Sequence, residues 1–332
     1  MSGCGLHMTS RQKISIVVPS YNQAEYLPRT LESILGQEHA PFEGSGAEGA
    51  VSEASVEILR QYAQRFPQLQ WLSEKDKGPA DAVNKGLVRV TGDIIGIQSS
   101  DDVYYPGVFA EVAKVFADNP DVGFVCGDVE GIDEHDRVLY LTQIPEFSWA
   151  AVFARSVSIP QGSIFFRREL AEQVGGWNGS IYGCDLDYWM RLLFRTRAVH
   201  IPRALSGWRR YEGQRTRPDQ YRRIWNDYWR MIDTSPDVAA APASVRRLAQ
   251  ASKHLFVLRC PPSQSRWTIW KHLLIGAWLH PGFWRYNSPA MIAAQLPAFG
   301  AMRWIYRRLR RRPVQGQPLR QATLPKPEQH LS

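Results

Sequence analysis

The sequence predicts an α/β fold with a mostly parallel central sheet, and three observations predict it. Short apolar runs rich in β-branched residues alternate with helix-length segments from residue 13 to residue 125. Polar and acidic residues cluster directly after several of these runs, at the strand ends where ligands of parallel sheets sit. The length, 332 residues with 44% apolar and 22% charged, suits one large α/β domain with a smaller companion and excludes wholesale disorder.

The elements follow in order. Residues 13–19 (KISIVVP) end at a proline and read as a buried strand. Residues 24–36 carry Leu27, Leu31 and Ile34 at helical spacing. A second helix is expected at 55–66, with Val56, Leu59 and Tyr62 on one face and Pro67 ending it. Residues 69–71 form a brief strand, 80–91 a helix, 93–98 (DIIGIQ) a strand, 106–117 a helix and 122–125 a strand. Beyond about residue 140 the alternation fades into a loop-rich stretch. A strong helix follows at 185–195, then a basic loop at 208–217. The composition shifts to Ala, Pro and Arg near residue 236.

Composition excludes several classes. The four cysteines (Cys4, Cys126, Cys184 and Cys260) are far apart, with no CxxC pair, so neither a disulfide scaffold nor a structural zinc site is expected. These thiols fit a reducing, cytoplasmic compartment. No stretch reaches the 18 or so uninterrupted apolar residues of a membrane span, and the N-terminus lacks the apolar core of a secretory signal. The net charge of +8 is unevenly spread. Residues 253–332 hold 13 Lys/Arg and one acid, Glu328, while the rest of the chain holds 27 bases and 31 acids. An anionic partner is therefore expected for the last quarter only.

The strand at 93–98 runs into Ser99, Ser100, Asp101 and Asp102. Two adjacent carboxylates at a strand end suit a hard divalent cation whose shell phosphate oxygens complete. The alternative is an N-cap for the helix that follows. Just upstream lies DKGPADAVNKG (76–86), and downstream come QGSIFFRREL (161–170), GGW (175–177) and CDLDYWMRLL (184–193), in that order.

With these motifs the sequence resembles the family-2 glycosyltransferases, nucleotide-sugar enzymes with a GT-A fold, over roughly residues 13–216. The resemblance implies that Pro19, Ser20, Tyr21 and Asn22 line the nucleotide base pocket. It implies that Asp102 coordinates Mg²⁺ or Mn²⁺ on the diphosphate, with Asp101 nearer the ribose. A bound cation offsets the charge growing on the leaving diphosphate. Asp76 and Asp81 match residues that contact the nucleotide or donor sugar, and Asn84 and Lys85 on the helix that follows are expected to bind the donor with them. Asp185 matches the general base of an inverting transfer, which takes the acceptor hydroxyl's proton. Its place at a helix start favours the ionised form. Asp187 is instead expected to pair with Arg191 one turn on. In GWRRYEGQRT (207–216), Arg209, Gly213 and Thr216 match a late family element, and Arg209 and Arg215 are expected to clamp the diphosphate. Tyr211 stands where His is common.

One segment departs from the family. The expected second strand reads GSGAEGAVSEA (44–54), poor in packing side chains. Glu48 and Glu53 fall near the positions of family acids that meet the base. Further on, residues 265–306 interleave Trp267, Trp270, Trp278, Trp284 and Trp304 with aliphatic and basic residues, and Arg307, Arg308, Arg310, Arg311 and Arg312 follow. This suits helices lying on an anionic membrane surface, or alternatively a packed helical subdomain. No nucleic-acid-binding motif is present.

The reading is therefore a flexible tail (1–12), a GT-A-like domain (13–233), a helical, basic, Trp/Arg-rich appendage (234–314) and a disordered tail (315–332). The expected function is metal-dependent, inverting transfer of a sugar from a nucleoside diphosphate sugar, UDP-linked by preference, to a hydroxyl of a glycan or lipid-linked acceptor. The expected place is the cytoplasm, at the inner face of the membrane. The alternatives are a catalytically weak homologue that scaffolds a polysaccharide assembly, and a nucleotidyltransferase.

Overall fold

The computed structural model describes residues 12–38, 42–48, 53–144, 161–214, 220–259 and 266–280. One sheet runs through it. Its strands are β1 (Ile14–Ser20), β2 (Phe42–Glu48), β3 (Leu69–Ser73), β4 (Ile94–Ile97), β5 (Val103–Tyr104), β6 (Val122–Ile132), β7 (Val138–Thr142), β8 (Ile164–Arg167) and β9 (Arg197–Arg209). They are ordered β3-β2-β1-β4-β8-β6-β9-β5, with β7 on β6. The first four are parallel, β6 and β9 are parallel, and β8 runs antiparallel between β4 and β6.

The period-two alternation of the strands divides the core. Ile14, Ile16 and Val18 face α1 (Leu27–Leu35) and α4 (Val108–Asp118), together with Phe109, Phe116 and Phe165. Val17, Ile95 and Ile97 face the other way, toward α3 (Pro79–Leu87), α5 (Arg168–Val174) and α6 (Cys184–Leu193). There Phe166, Trp177, Tyr188 and Trp189 stack edge to face with ring centroids about 5.5–6.2 Å apart. A third cluster joins α1, α2 (Glu53–Arg65) and β3 through Leu31, Leu59 and Leu69. Gly86 is required where α3 crosses β1, because a Cβ there would lie 2.4 Å from Val17 Cγ1.

Three expectations change. The weak second strand does form, as β2, two residues earlier than expected and paired in parallel on both sides. Its backbone groups are satisfied by two neighbours, which offsets the poor packing of its glycines. The basic loop begins only after Arg209, since Trp208 and Arg209 belong to β9. Nor do Asp101 and Asp102 cap a helix: β5 intervenes, and α4 starts after Gly107.

The last helices are α7 (Tyr221–Thr234), α8 (Pro236–Ala240), α9 (Ala243–Arg259) and α10 (Arg266–Leu279). Tyr228, Met231, Ile232, Val238 and Ala249 share one cluster with Trp189. The core therefore runs without a break across the boundary expected at 233/234. Among the described residues no helix is long and apolar enough to cross a membrane. The N-terminal tail, Arg215, Trp284, Trp304, the arginines at 307–312 and the C-terminal tail lie outside the described residues. Cys126 and Cys184 are buried.

Candidate active site

The site is built where β1 and β4 end. Tyr21 is exposed after β1, and Asn22 adopts φ 54, a left-handed conformation that Asn tolerates better than most side chains. Pro19 pairs in register with Ala47, and Ser20 with Glu48, so the backbone of Glu48 lies at the same edge of the sheet. Helix α1 fastens the acidic turn to this edge. The buried Thr30 hydroxyl lies 2.8 Å from the Ser100 carbonyl and 2.7 Å from that of Asp102. The Tyr104 amide donates to Ser33 Oγ.

Asp102 is buried, and one carboxylate oxygen accepts the Arg209 backbone N–H at 2.8 Å. Asp101 accepts the Tyr211 hydroxyl at 2.9 Å, and Tyr211 in turn accepts Gln23 Nε2 at 2.8 Å. Burial pushes both carboxyls above their ordinary range, Asp102 far above, where the charge of Asp101 adds to the effect. Among the described residues neither carboxylate forms an ion pair. Among the described residues no third His, Cys, Asp or Glu joins them there as a possible metal ligand. Two hard, desolvated oxygen donors, whose charge the Arg209 guanidinium offsets only in part, fit a divalent ion that shares its shell with phosphate oxygens and water. Such an ion would also relieve the repulsion between the two acids.

Arg209 requires a correction. Its guanidinium is not free to clamp a diphosphate. It is 1% exposed, donates to the carbonyls of Asp101 (2.7 Å) and Asp133 (2.8 Å), pairs with Asp136, and lies over the Tyr26 ring. Asp136 also holds Arg29 of α1, at 2.8 Å. Arg209 thus ties the acidic turn to the β6–β7 hairpin and α1. Asn84 and Lys85 are likewise committed to the protein. Asn84 exchanges two hydrogen bonds with the Trp177 backbone, at 2.7 and 3.0 Å, and so holds the Gly-Gly-Trp turn. Lys85 Nζ donates to the Lys75 carbonyl and pairs with Glu74 and Asp81.

Asp76 and Asp81 shape the turn before α3. Asp76 accepts the N–H of Gly78, whose φ of +117 only glycine adopts readily, and Asp81 accepts the Lys77 N–H. That bond is the first reason the Asp81 carboxyl lies below its ordinary range, ahead of Lys85.

Asp185 occupies the first turn of α6, two residues after the Gly183 cap. It caps nothing, and its carboxylate has no hydrogen-bond or ion-pair partner among the described residues. Asp187, by contrast, pairs with Arg191 at 2.9 Å, as the spacing predicts, and Arg191 extends to the carbonyls of Val174 and Gly176. A Cβ added at Gly179 would lie 3.7 Å from that of Ala80, so the segment before α6 passes near the start of α3. Sequence reasoning missed Gln23, Thr30 and Asp136. Gln23 directly follows the Tyr-Asn pair, but the other two carry no local signal.

A mixed sheet with a desolvated acid pair at the end of a central parallel strand defines a GT-A-like domain. Residues 15–175, just under half of the chain, match the model of Glycosyl transferase family 2. An uncharacterized glycosyltransferase of Nostoc is 28% identical over 171 residues, 49% of this chain and 53% of its own length. An O-antigen biosynthesis protein of Myxococcus xanthus is 29% identical over 205 residues, 60% of this chain and 16% of its own. The chain thus spans about half or less of these two relatives. The S. aureus protein TarS (residues 1–349), solved with UDP-GlcNAc, shares the fold at 13% identity and a TM-score of 0.59, over 88% of this chain and 87% of its own.

Proposed function

We propose that the chain is a metal-dependent, inverting glycosyltransferase. It moves a sugar from a nucleoside diphosphate sugar, UDP-linked by preference, to a hydroxyl of a glycan or lipid-linked acceptor at the inner face of the cytoplasmic membrane. The observation that carries this reading is the desolvated Asp101–Asp102 pair, which forms no ion pair among the described residues and whose carboxyls stay raised despite the nearby charge of Arg209. A bound Mn²⁺ or Mg²⁺ would supply the positive charge that stabilises the departing diphosphate. Asp102 and Asp101 would hold it. Tyr211 and the Arg209 backbone keep both carboxylates oriented, so little reorganisation is needed when donor arrives.

Pro19, Tyr21, Asn22 and Glu48 lie at the edge where a nucleotide base would rest, and Asp76 and Asp81 shape the turn beside it. Arg215 keeps its expected role as a diphosphate contact. Asp185, which has no hydrogen-bond or ion-pair partner among the described residues, accepts the acceptor's proton as the hydroxyl oxygen attacks the sugar's anomeric carbon and the bond to the diphosphate breaks. The relative named for O-antigen biosynthesis favours a surface-polysaccharide acceptor, and the TarS complex makes UDP-sugars the first donors to try.

The test is a panel of UDP-, GDP- and other nucleotide sugars incubated with the protein, with Mn²⁺, with Mg²⁺ and with chelator. Metal-dependent release of one nucleoside diphosphate is expected. No turnover of any donor under any condition would instead favour the scaffold reading.

A further inference from the structure

Helix α10 is fastened to the protein by one face only. Leu273 is buried, and His272 Nδ1 lies 2.8 Å from His254 Nδ1 on α9, with the Trp229 ring of α7 edge-on to both imidazoles. The opposite face is bare. Trp267 is 84% exposed, Trp270 52%, Leu274 68% and Trp278 81%. These make up four of the seven large apolar side chains exposed among the described residues, and all four sit on this one helix. At 100° per residue they fall within an arc of about 80°, in a stripe about 16 Å long, with Lys271 at its margin.

A hydrophobic stripe of this size on an otherwise well-buried protein marks a contact surface. Its chemistry selects the partner. Indole rings have an apolar body and a polar N–H, which suits the boundary between headgroups and acyl chains. The stripe opens a segment, residues 253–332, that holds 13 bases and one acid. In an isologous dimer the same basic segment would approach its own copy, at an electrostatic cost. An anionic lipid surface pairs with both features at once.

We propose that the Trp267–Trp270–Leu274–Trp278 face of α10 is a docking surface for anionic lipid bilayers, lying in the membrane plane. This deepens the membrane part of the reading above by assigning it to one helix face. Its test reads lipid and not transfer, so either claim can fail without the other.

The experiment is flotation of the full-length protein with phosphatidylglycerol-containing vesicles, and with phosphatidylcholine alone, across a salt series. The wild type is expected to float with the anionic vesicles, less so as salt rises, with a blue shift of indole emission. The variant Trp267→Ser/Trp270→Ser/Leu274→Ser/Trp278→Ser replaces only exposed side chains and should keep the melting temperature. It should lose vesicle affinity by on the order of tenfold or more and lose the blue shift. Lys271→Gln should weaken flotation at low salt only. A wild type that fails to float at low salt, or a quadruple variant that floats as well as wild type, would overturn the proposal. So would a wild-type dimer that the variant converts to monomer while neither floats, since the stripe would then be a self-association face.

Discussion

The acidic turn after β4 and the start of α6 each offer carboxylates, and the protein treats them in opposite ways. Asp101 and Asp102 are wrapped by Tyr211, the Arg209 backbone, Thr30 on the turn's carbonyls, and a buried guanidinium tied to Asp136. Asp185 stands in the first turn of its helix with no hydrogen-bond or ion-pair partner among the described residues, while its neighbour Asp187 is held by Arg191. On the proposed reading, the contrast is that the cation's ligands are pre-positioned and desolvated. A group meant to take a proton must stay open to the substrate. Substitutions at the two places should therefore differ in kind, not only in size.

The largest effect is expected where the protein invests least. Asp185→Asn removes a proton acceptor and no packing, so transfer should fall on the order of 10²–10⁴-fold while donor binding and melting temperature hold. Steady-state rates beside thermal melts check this. A near wild-type rate would move the base elsewhere.

At the wrapped end the first casualty is the fold. Arg209→Met leaves Asp136 paired with Arg29 but frees two carbonyls of their donor, and should cost about 1–3 kcal/mol of unfolding free energy by denaturant titration.

The pH dependence sharpens the comparison further. The folded-state pKa of Asp102 is raised, by burial first and by Asp101 second. The native state therefore holds its proton at pH values where the unfolded chain has lost it. Stability from this group is present at low pH and is lost as pH climbs from the ordinary carboxylate value through the raised one. Metal-free protein should show this falling slope in melting temperature. Asp102→Asn should flatten it.

The smallest effect belongs to Tyr211→Phe. It removes one phenolic hydrogen bond to Asp101 while keeping the ring against Tyr26, at 5.1 Å between centroids. About 1 kcal/mol of donor affinity should go, seen as a several-fold rise in KM at nearly constant kcat. Burial and Asp101 push the Tyr211 hydroxyl well above its ordinary pKa, so it remains a donor throughout the working pH range.

Much of this was legible in the sequence where side chains alone dictate the outcome. The runs KISIVVP and DIIGIQ became β1 and β4 because β-branched residues buried on both faces have few other options. The Asp187–Arg191 pair followed from helical spacing. The segment around β2 was hard to read because backbone pairing on two sides, not side-chain packing, makes it a strand. The antiparallel β8 was equally hidden: a run such as IFFR reports burial but not direction. The fate of Arg209, Asn84 and Lys85 was misread for a different reason. Sequence places a donor near a site, but only the fold reveals which acceptors reach it first, and here Asp136, the Trp177 backbone and Glu74 did.

The central claim is that the Asp101–Asp102 pair holds a divalent cation for a nucleoside diphosphate. Titration calorimetry of UDP tests it most directly, with Mn²⁺ and with chelator, on wild type, Asp102→Asn and Asp185→Asn. The account predicts metal-dependent binding to wild type and to Asp185→Asn, and none above the metal-free level for Asp102→Asn. Metal-dependent UDP binding by Asp102→Asn at wild-type affinity would contradict it.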